Sequence, residues 1–179
     1  FGYNCFGSYG ACGDPRKCEH HNAGHAANLQ LALAYSCNSY FLQVFRMAID
    51  NPKYASAKGG YVKWKEYMNA FGFGRKLGVD LPSENKANIP DTAQYNKDFG
   101  NPRYWNSCYM LTLGIGQDRM TATPLQLANS MAFIANDGYY YTPHFVDSIE
   151  SETQEEAAQL APFRKKQKVT KIPKEYFDV

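Results

Sequence analysis

No run of eighteen apolar residues occurs in this sequence and its mean hydropathy is -0.53, so it contains no stretch able to cross a membrane as a helix. Its first residues carry no basic stretch followed by an apolar one and do not read as a signal peptide, so any targeting element is expected outside these residues. Charge of one sign is scarce as well. With 19 Lys and Arg against 17 Asp and Glu, the formal net charge is +2, which excludes the field that nucleic-acid binding needs. What is plentiful is apolar, 44% of 179 residues, enough for one main folded unit with its own core.

The five cysteines are an odd count, so they cannot all pair within the chain. Cys5, Cys12 and Cys18 crowd the first eighteen residues and are followed by His20, His21 and His25, whereas Cys37 and Cys108 stand apart. Disulfide, zinc site and free thiols are equally open readings of this group, because cystines and thiolate ligands share spacing signatures. If a metal binds, Cys5, Cys18 and His20 or His21 are the first candidates, and Cys37 reads as a small buried residue.

Residues 1–26 hold three cysteines, three histidines and several glycines with almost no periodicity, which predicts an irregular loop that something must staple. Leu29 and Leu33, then Phe41, Val44, Phe45 and Ala48, predict two short helices on either side of the polar step Ser36-Cys37-Asn38, the second closed at Asn51-Pro52. Tyr61, Trp64, Met68 and Phe71 predict a third helix, stopped at Gly72. From Gly74 to Pro102 the density of Gly, Pro, Asn and Asp predicts a long ordered loop. Thr123-Pro124-Leu125-Gln126 is a capping box, and Leu125, Ala128, Ala132 and Ala135, widened by Leu127, Met131 and Ile134, predict a helix buried on much of its circumference. Tyr139 to Tyr141 and Phe145 to Ile149 read as strands broken at Pro143. The domain expectation is therefore residues 1–149 as one partial domain, and residues 150–179, acidic and then basic, as a charged and loosely docked tail.

Two Ser-x-Asn triplets occur, Ser36-Cys37-Asn38 between helices and Ser83-Glu84-Asn85 in the long loop. Alone such a triplet is weak, since it suits helix punctuation equally well. Further along stand Phe71-Gly72-Phe73-Gly74, Gly78-Val79-Asp80-Leu81-Pro82-Ser83-Glu84, Leu113-Gly114-Ile115-Gly116-Gln117, Thr121-Ala122-Thr123-Pro124-Leu125-Gln126-Leu127-Ala128 and Ala135-Asn136-Asp137-Gly138. In order and spacing, over about residues 24 to 147, the sequence resembles the transpeptidase domain of class B penicillin-binding proteins, and most nearly their elongation type, penicillin-binding protein 2.

That resemblance implies an α+β fold, of which this chain would be an incomplete, helix-rich portion. It implies a parent enzyme, a serine-type D,D-transpeptidase of peptidoglycan and cell-shape synthesis. Such an enzyme acts at the periplasmic face of the inner membrane through an anchor outside these residues, with stem peptides, β-lactams and cell-wall synthesis proteins as partners. It also implies that the Ser36 hydroxyl lies in the proton relay to the leaving amine and that the Asn38 amide grips the substrate. The elongation type can carry a metal site before the Ser-x-Asn motif, which keeps a structural zinc open beside the disulfide and free-thiol readings, although its ligands do not map residue by residue onto this chain. No cofactor is required by the chemistry itself.

Departures from the family pattern limit these expectations. No Lys-Thr-Gly occurs, and the only Ser-x-x-Lys, Ser83-Glu84-Asn85-Lys86, follows the Ser36 triplet instead of preceding it, so Ser83 is a decoy and this chain alone should be inactive. Gly114 and Gly116 read as packing residues beneath the site, not as a phosphate loop. Exposed apolar faces and sheet edges make homodimerisation of the isolated chain an expectation. The rival readings are a non-catalytic penicillin sensor and a cysteine-stapled or zinc-binding extracellular interaction module.

Overall fold

A computed structural model describes residues 1–19, 24–100, 106–168 and 172–177. These residues fold into two compact units, one built from residues 1–64 and 90–120, the other from 65–89 and 121–177.

The first unit opens with a glycine-rich segment in which β1 (Ser8–Tyr9) pairs antiparallel with β2 (Arg16–Lys17), so the expected irregular loop contains a short ladder. Helix α1 (Leu29–Ala34) begins where Asn28 accepts the Leu31 N–H at 2.8 Å. Helix α2 (Asn38–Ile49) buries Leu42, Phe45 and Ile49, an i, i+3, i+7 stripe. Each of these side chains contributes about 1.5–3 kcal/mol by leaving water. Helix α3 (Ala57–Ala70) starts in this unit, with Gly60 and Tyr61 buried, and runs on into the second.

Within the stretch expected as a long loop, residues 92–99 form a helix, α4 (Thr92–Phe99), whose cap Asp91 accepts the Gln94 N–H at 2.8 Å. A 3₁₀ segment (Ser107–Ile115) completes the core, in which Leu42, Phe45, Ile49, Tyr61, Tyr95, Met110, Leu111 and Leu113 share one cluster. Gly114 belongs to the packing, as read from the sequence: a Cβ there would lie 2.6 Å from Cβ of Phe45 and 3.1 Å from the Phe41 carbonyl oxygen. A disulfide between Cys12 and Cys108 spans 96 residues of sequence, long enough to remove about 4–5 kcal/mol of unfolded-chain entropy in the loop-closure picture.

The second unit takes the end of α3, a turn-rich segment and helix α5 (Pro124–Ala135), whose capping box forms as expected, with Thr123 N–H to Gln126 Oε1 at 3.0 Å and Gln126 N–H to Thr123 Oγ1 at 3.2 Å. Its facing is the reverse of expectation. Gln126, Asn129, Ser130 and Phe133 are buried, while Leu125, Leu127, Met131 and Ile134 face outward. Gln126 repays its burial by donating from Nε2 to the carbonyls of Arg75 and Lys86, both at 2.9 Å.

Strand β3 (Tyr139–Tyr141) is present, but residues 145–149 are not a strand, because the Phe145 and Val146 amides donate to the Asp80 carboxylate. The stretch expected as a loosely docked tail holds α6 (Gln154–Leu160), with its own capping box at Thr153, and β4 (Lys166–Lys168), which pairs antiparallel with β3. Phe177 packs edge-on against Phe133. No helix among the described residues is long and apolar enough to cross a membrane.

Candidate functional site

The chain between α1 and α2 is fixed by three backbone hydrogen bonds. Tyr35 N–H donates to Leu31 O at 2.9 Å, Ser36 N–H to Leu33 O at 3.1 Å and Cys37 N–H to Ala32 O at 2.9 Å. This is a Schellman closure, and it puts Ser36 in the left-handed region at φ 48°, a position usually given to glycine. The side chain of Ser36 is exposed. Cys37 then serves as N-cap of α2 without capping it through its side chain, and its thiol is fully buried. Asn38, the first helical residue, donates from Nδ2 to the Lys17 carbonyl at 3.0 Å. Ser36 and Asn38 therefore lie one residue apart on a rigid step, and Asn38 is tied to the end of β2 instead of capping a helix.

Behind the motif lies a group of thiols. Cys18 Sγ stands 3.6 Å from Cys5 Sγ and 4.0 Å from Cys37 Sγ, and it accepts from the Ser39 N–H at 3.2 Å and contacts Ser39 Oγ at 3.0 Å. His25 is buried beside them, and donor atoms of Cys5, His25 and Cys37 all lie within 4.8 Å of one another. Burial opposes ionisation of Cys5, but hydrogen bonds from Ser39, the Gly7 amide, Cys18 and Cys37 outweigh it and bring the thiol down to about 7. Cys37 is pushed up to about 12 by burial and by the neighbouring sulfurs.

These contacts revise the candidate metal set. Of the expected ligands, Cys5 and Cys18 have their sulfurs 3.6 Å apart and His20 and His21 lie outside the described residues, whereas the group whose donor atoms lie within 4.8 Å of one another is Cys5, His25 and Cys37. The donor atoms close enough to share one ion are those of Cys5, His25 and Cys37, two thiols and an imidazole, while Cys18 stands beside both sulfurs and bonds to Ser39. Cys12, the third cysteine of the loop, is withdrawn from this set by its disulfide to Cys108. The participation of Cys37 rests on a contact across nineteen residues, for which no local spacing gives a signal.

In the second unit, an apolar cavity of about 340 Å³ is lined by Val79, Leu81, Ser83, Glu84, Leu125 and Phe145 among others. Beside Ser83, Glu84 accepts the amides of Leu77, Gly78 and Val79, so the acid closes its own turn.

The model of the family described as "Penicillin binding protein transpeptidase domain" matches residues 10–175. The chain belongs to this family. Among curated proteins, this penicillin-binding protein segment is 34% identical over 134 residues to the peptidoglycan D,D-transpeptidase MrdA of Haemophilus influenzae, covering 74% of this chain and 18% of that protein. It is 35% identical over 123 residues to the protein of the same name in Acinetobacter baumannii, covering 68% of the chain and 16% of that protein. The chain thus spans less than a fifth of these relatives. Of solved structures, penicillin-binding protein 2 of Pseudomonas aeruginosa in complex with WCK 5153 aligns at a TM-score of 0.69 and 22% identity, over 98% of this chain and 36% of that one. Penicillin-binding protein 2 of Helicobacter pylori, in a complex with MreC, aligns at 0.65 and 24% identity, over 92% and 29%. At these identities the likeness is one of fold, and it identifies the helix-rich arrangement as part of an α+β transpeptidase domain.

Proposed function

We propose that this chain is part of a peptidoglycan D,D-transpeptidase that cross-links stem peptides by serine acyl transfer, with Ser36 and Asn38 in its reacting groove. The nucleophilic serine of a Ser-x-x-Lys motif attacks the D-Ala-D-Ala carbonyl, the peptide C–N bond breaks, D-alanine leaves, and an amine of a second stem peptide displaces the serine. Ser36 passes a proton to the departing amine, and Asn38 holds the substrate backbone. The observation that carries this reading is the pairing of an exposed serine in a left-handed position with an asparagine anchored on Lys17 O. Asn38 spends one N–H on that anchor and keeps its second N–H and its oxygen for a ligand.

The reading extends to the whole enzyme. It works at the periplasmic face of the inner membrane through an anchor outside these residues, binds β-lactams as mimics of D-Ala-D-Ala and meets other cell-wall synthesis proteins. Support comes from the D,D-transpeptidase names of the relatives and from the MreC complex of the Helicobacter protein. One structural zinc, held by Cys5, His25 and Cys37, would tie the N-terminal loop to the start of α2 and supply folding energy there. Lacking Lys-Thr-Gly and any Ser-x-x-Lys ahead of Ser36, the 179-residue chain alone is inactive. The outward Leu127, Met131 and Ile134 support its self-association in isolation, and a monodisperse monomer in light scattering would remove that part.

The test is covalent labelling with a fluorescent penicillin. A longer chain carrying all three motifs labels on its Ser-x-x-Lys serine, and Asn38→Ala slows that acylation by roughly a hundredfold. The 179-residue chain stays unlabelled. Labelling at Ser83, or a folded longer chain that takes no penicillin, overturns the proposal.

A further inference from the structure

Among the described residues the N-terminal segment holds sulfur in two states: Cys12 is in a disulfide, while Cys5, Cys18 and Cys37 are free and buried. Of the free sulfurs, Cys5 and Cys18 are the nearer pair, at 3.6 Å, against 4.0 Å from Cys18 to Cys37. A cystine needs about 2.05 Å, so side-chain rotation has about 1.6 Å to close. Cys37 is fixed at the N-cap of α2 by its bond to Ala32 O, whereas neither Cys5 nor Cys18 lies in a helix.

We infer that Cys5 and Cys18 form a second disulfide site, one that competes with metal for the Cys5 sulfur. The step balances as thiol–disulfide exchange. Two S–H bonds break and one S–S bond forms, and the two electrons and two protons pass to a small-molecule or protein disulfide, which leaves as two thiols. Closure removes Cys5 from the three metal donors, so a loaded cluster and a Cys5–Cys18 cystine exclude each other. A bound ion holds the Cys5 sulfur on itself and blocks the approach, so zinc protects the pair. Cys37 stays outside the disulfide in either state. The competition rests on the zinc reading of the cluster, whereas disulfide formation by the empty cluster does not.

The experiment uses the 179-residue chain, isolated with Cys12–Cys108 intact, metal-free or preloaded with one equivalent of zinc, and treated with oxidised glutathione. Peptide mapping under non-reducing conditions reads which cysteines have joined, and native mass spectrometry reads zinc. The metal-free chain is expected to gain Cys5–Cys18 with Cys37 alkylatable, and the zinc-loaded chain to gain it roughly tenfold more slowly or not at all. The oxidised chain should take up no zinc until it is reduced. Cys37→Ser, which removes one metal donor and leaves the pair, is expected to oxidise at the metal-free rate even with equimolar zinc. If that variant does not fold, the wild-type arms decide. A Cys5–Cys37 or Cys18–Cys37 bond, glutathione adducts in place of the internal bond, or an oxidised chain that keeps stoichiometric zinc would each overturn the inference. A reduced chain that binds no zinc yet still closes Cys5–Cys18 sinks the zinc reading and the competition, and is told apart by its intact oxidation arm.

Discussion

The Cys37 amide donates to the Ala32 carbonyl at 2.9 Å, a bond that closes α1 and leaves Ser36 between them at φ 48°. For a side chain with a Cβ the left-handed region costs about 1–2 kcal/mol, and glycine escapes that cost. Ser36→Gly is therefore expected to stabilise this chain by about 1 kcal/mol, measured as a rise in the urea midpoint followed by tryptophan fluorescence. In a chain carrying all three motifs, the same substitution should slow penicillin acylation roughly a hundredfold, because the relay hydroxyl is gone. Stability that falls would contradict the cost assigned to the left-handed position of Ser36, and acylation that is untouched would show that Ser36 is ordinary punctuation.

Adjacent glycines of α3 make opposite demands. A Cβ on Gly60 would stand 2.0 Å from the Ile49 carbonyl oxygen, backbone against backbone, so the helices would have to separate. On Gly59 the nearest atoms are Cβ of Tyr54 at 3.6 Å and Oγ of Ser56 at 3.8 Å, ordinary contacts. Gly60→Ala should destabilise by about 3 kcal/mol through overpacking. Gly59→Ala should gain about 0.5–1 kcal/mol of helix propensity. Equal effects in denaturant titrations would contradict the close approach of α2 and α3.

Helix α5 separates what is local from what is tertiary. Its start was legible at Thr123, because a capping box is written within four residues. Its facing was not, since the buried stripe is Gln126, Asn129, Ser130 and Phe133, and periodicity ranks leucine and isoleucine ahead of glutamine. Gln126→Leu strands the Arg75 and Lys86 carbonyls and should cost about 3 kcal/mol, read as faster hydrogen exchange along α5. Leu127→Gln, at a position 52% exposed, should change the same rates by less than about 0.5 kcal/mol equivalent. The reverse ranking would restore the sequence-based facing.

Other differences have the same physical origin. Asp91 and the Thr92 to Phe99 run carried an N-cap signal for α4, but the surrounding Pro, Gly and Asn outweighed it in composition. Phe145 and Val146 alternate like a strand, yet their amides go to the carboxylate of Asp80, a partner 65 residues away. Cys5 and Cys18 were legible as members of a cysteine group in the first eighteen residues, whereas Cys37 reaches them only through the packing of α2. The motif Ser36-Cys37-Asn38 was visible as a polar step between helices, but the anchor of Asn38 on Lys17 O was not, because a backbone carbonyl has no sequence signature.

Tyr61 and Tyr95 meet edge to face in the first core, ring centroids 5.3 Å apart, with the Tyr61 hydroxyl donating to Pro90 O at 2.5 Å and that of Tyr95 to Asp118 at 3.2 Å. Burial, reinforced by the charge of Asp118, raises both phenols well above their ordinary value of 10.0. A raised native value means that stability is fully present below pH 10 and is lost above it, because the unfolded chain then releases protons that the native core retains. Each of these phenols should steepen the loss by up to about 1.4 kcal/mol per pH unit until the native groups themselves titrate. Absorbance at 295 nm should show these two of the 14 tyrosines ionising only with unfolding, and Tyr61→Phe should reduce the pH slope by about one proton. If all the phenols of the folded chain titrate together near pH 10, the burial assigned to this pair is wrong, and with it the core on which α2 and the motif at its start are seated.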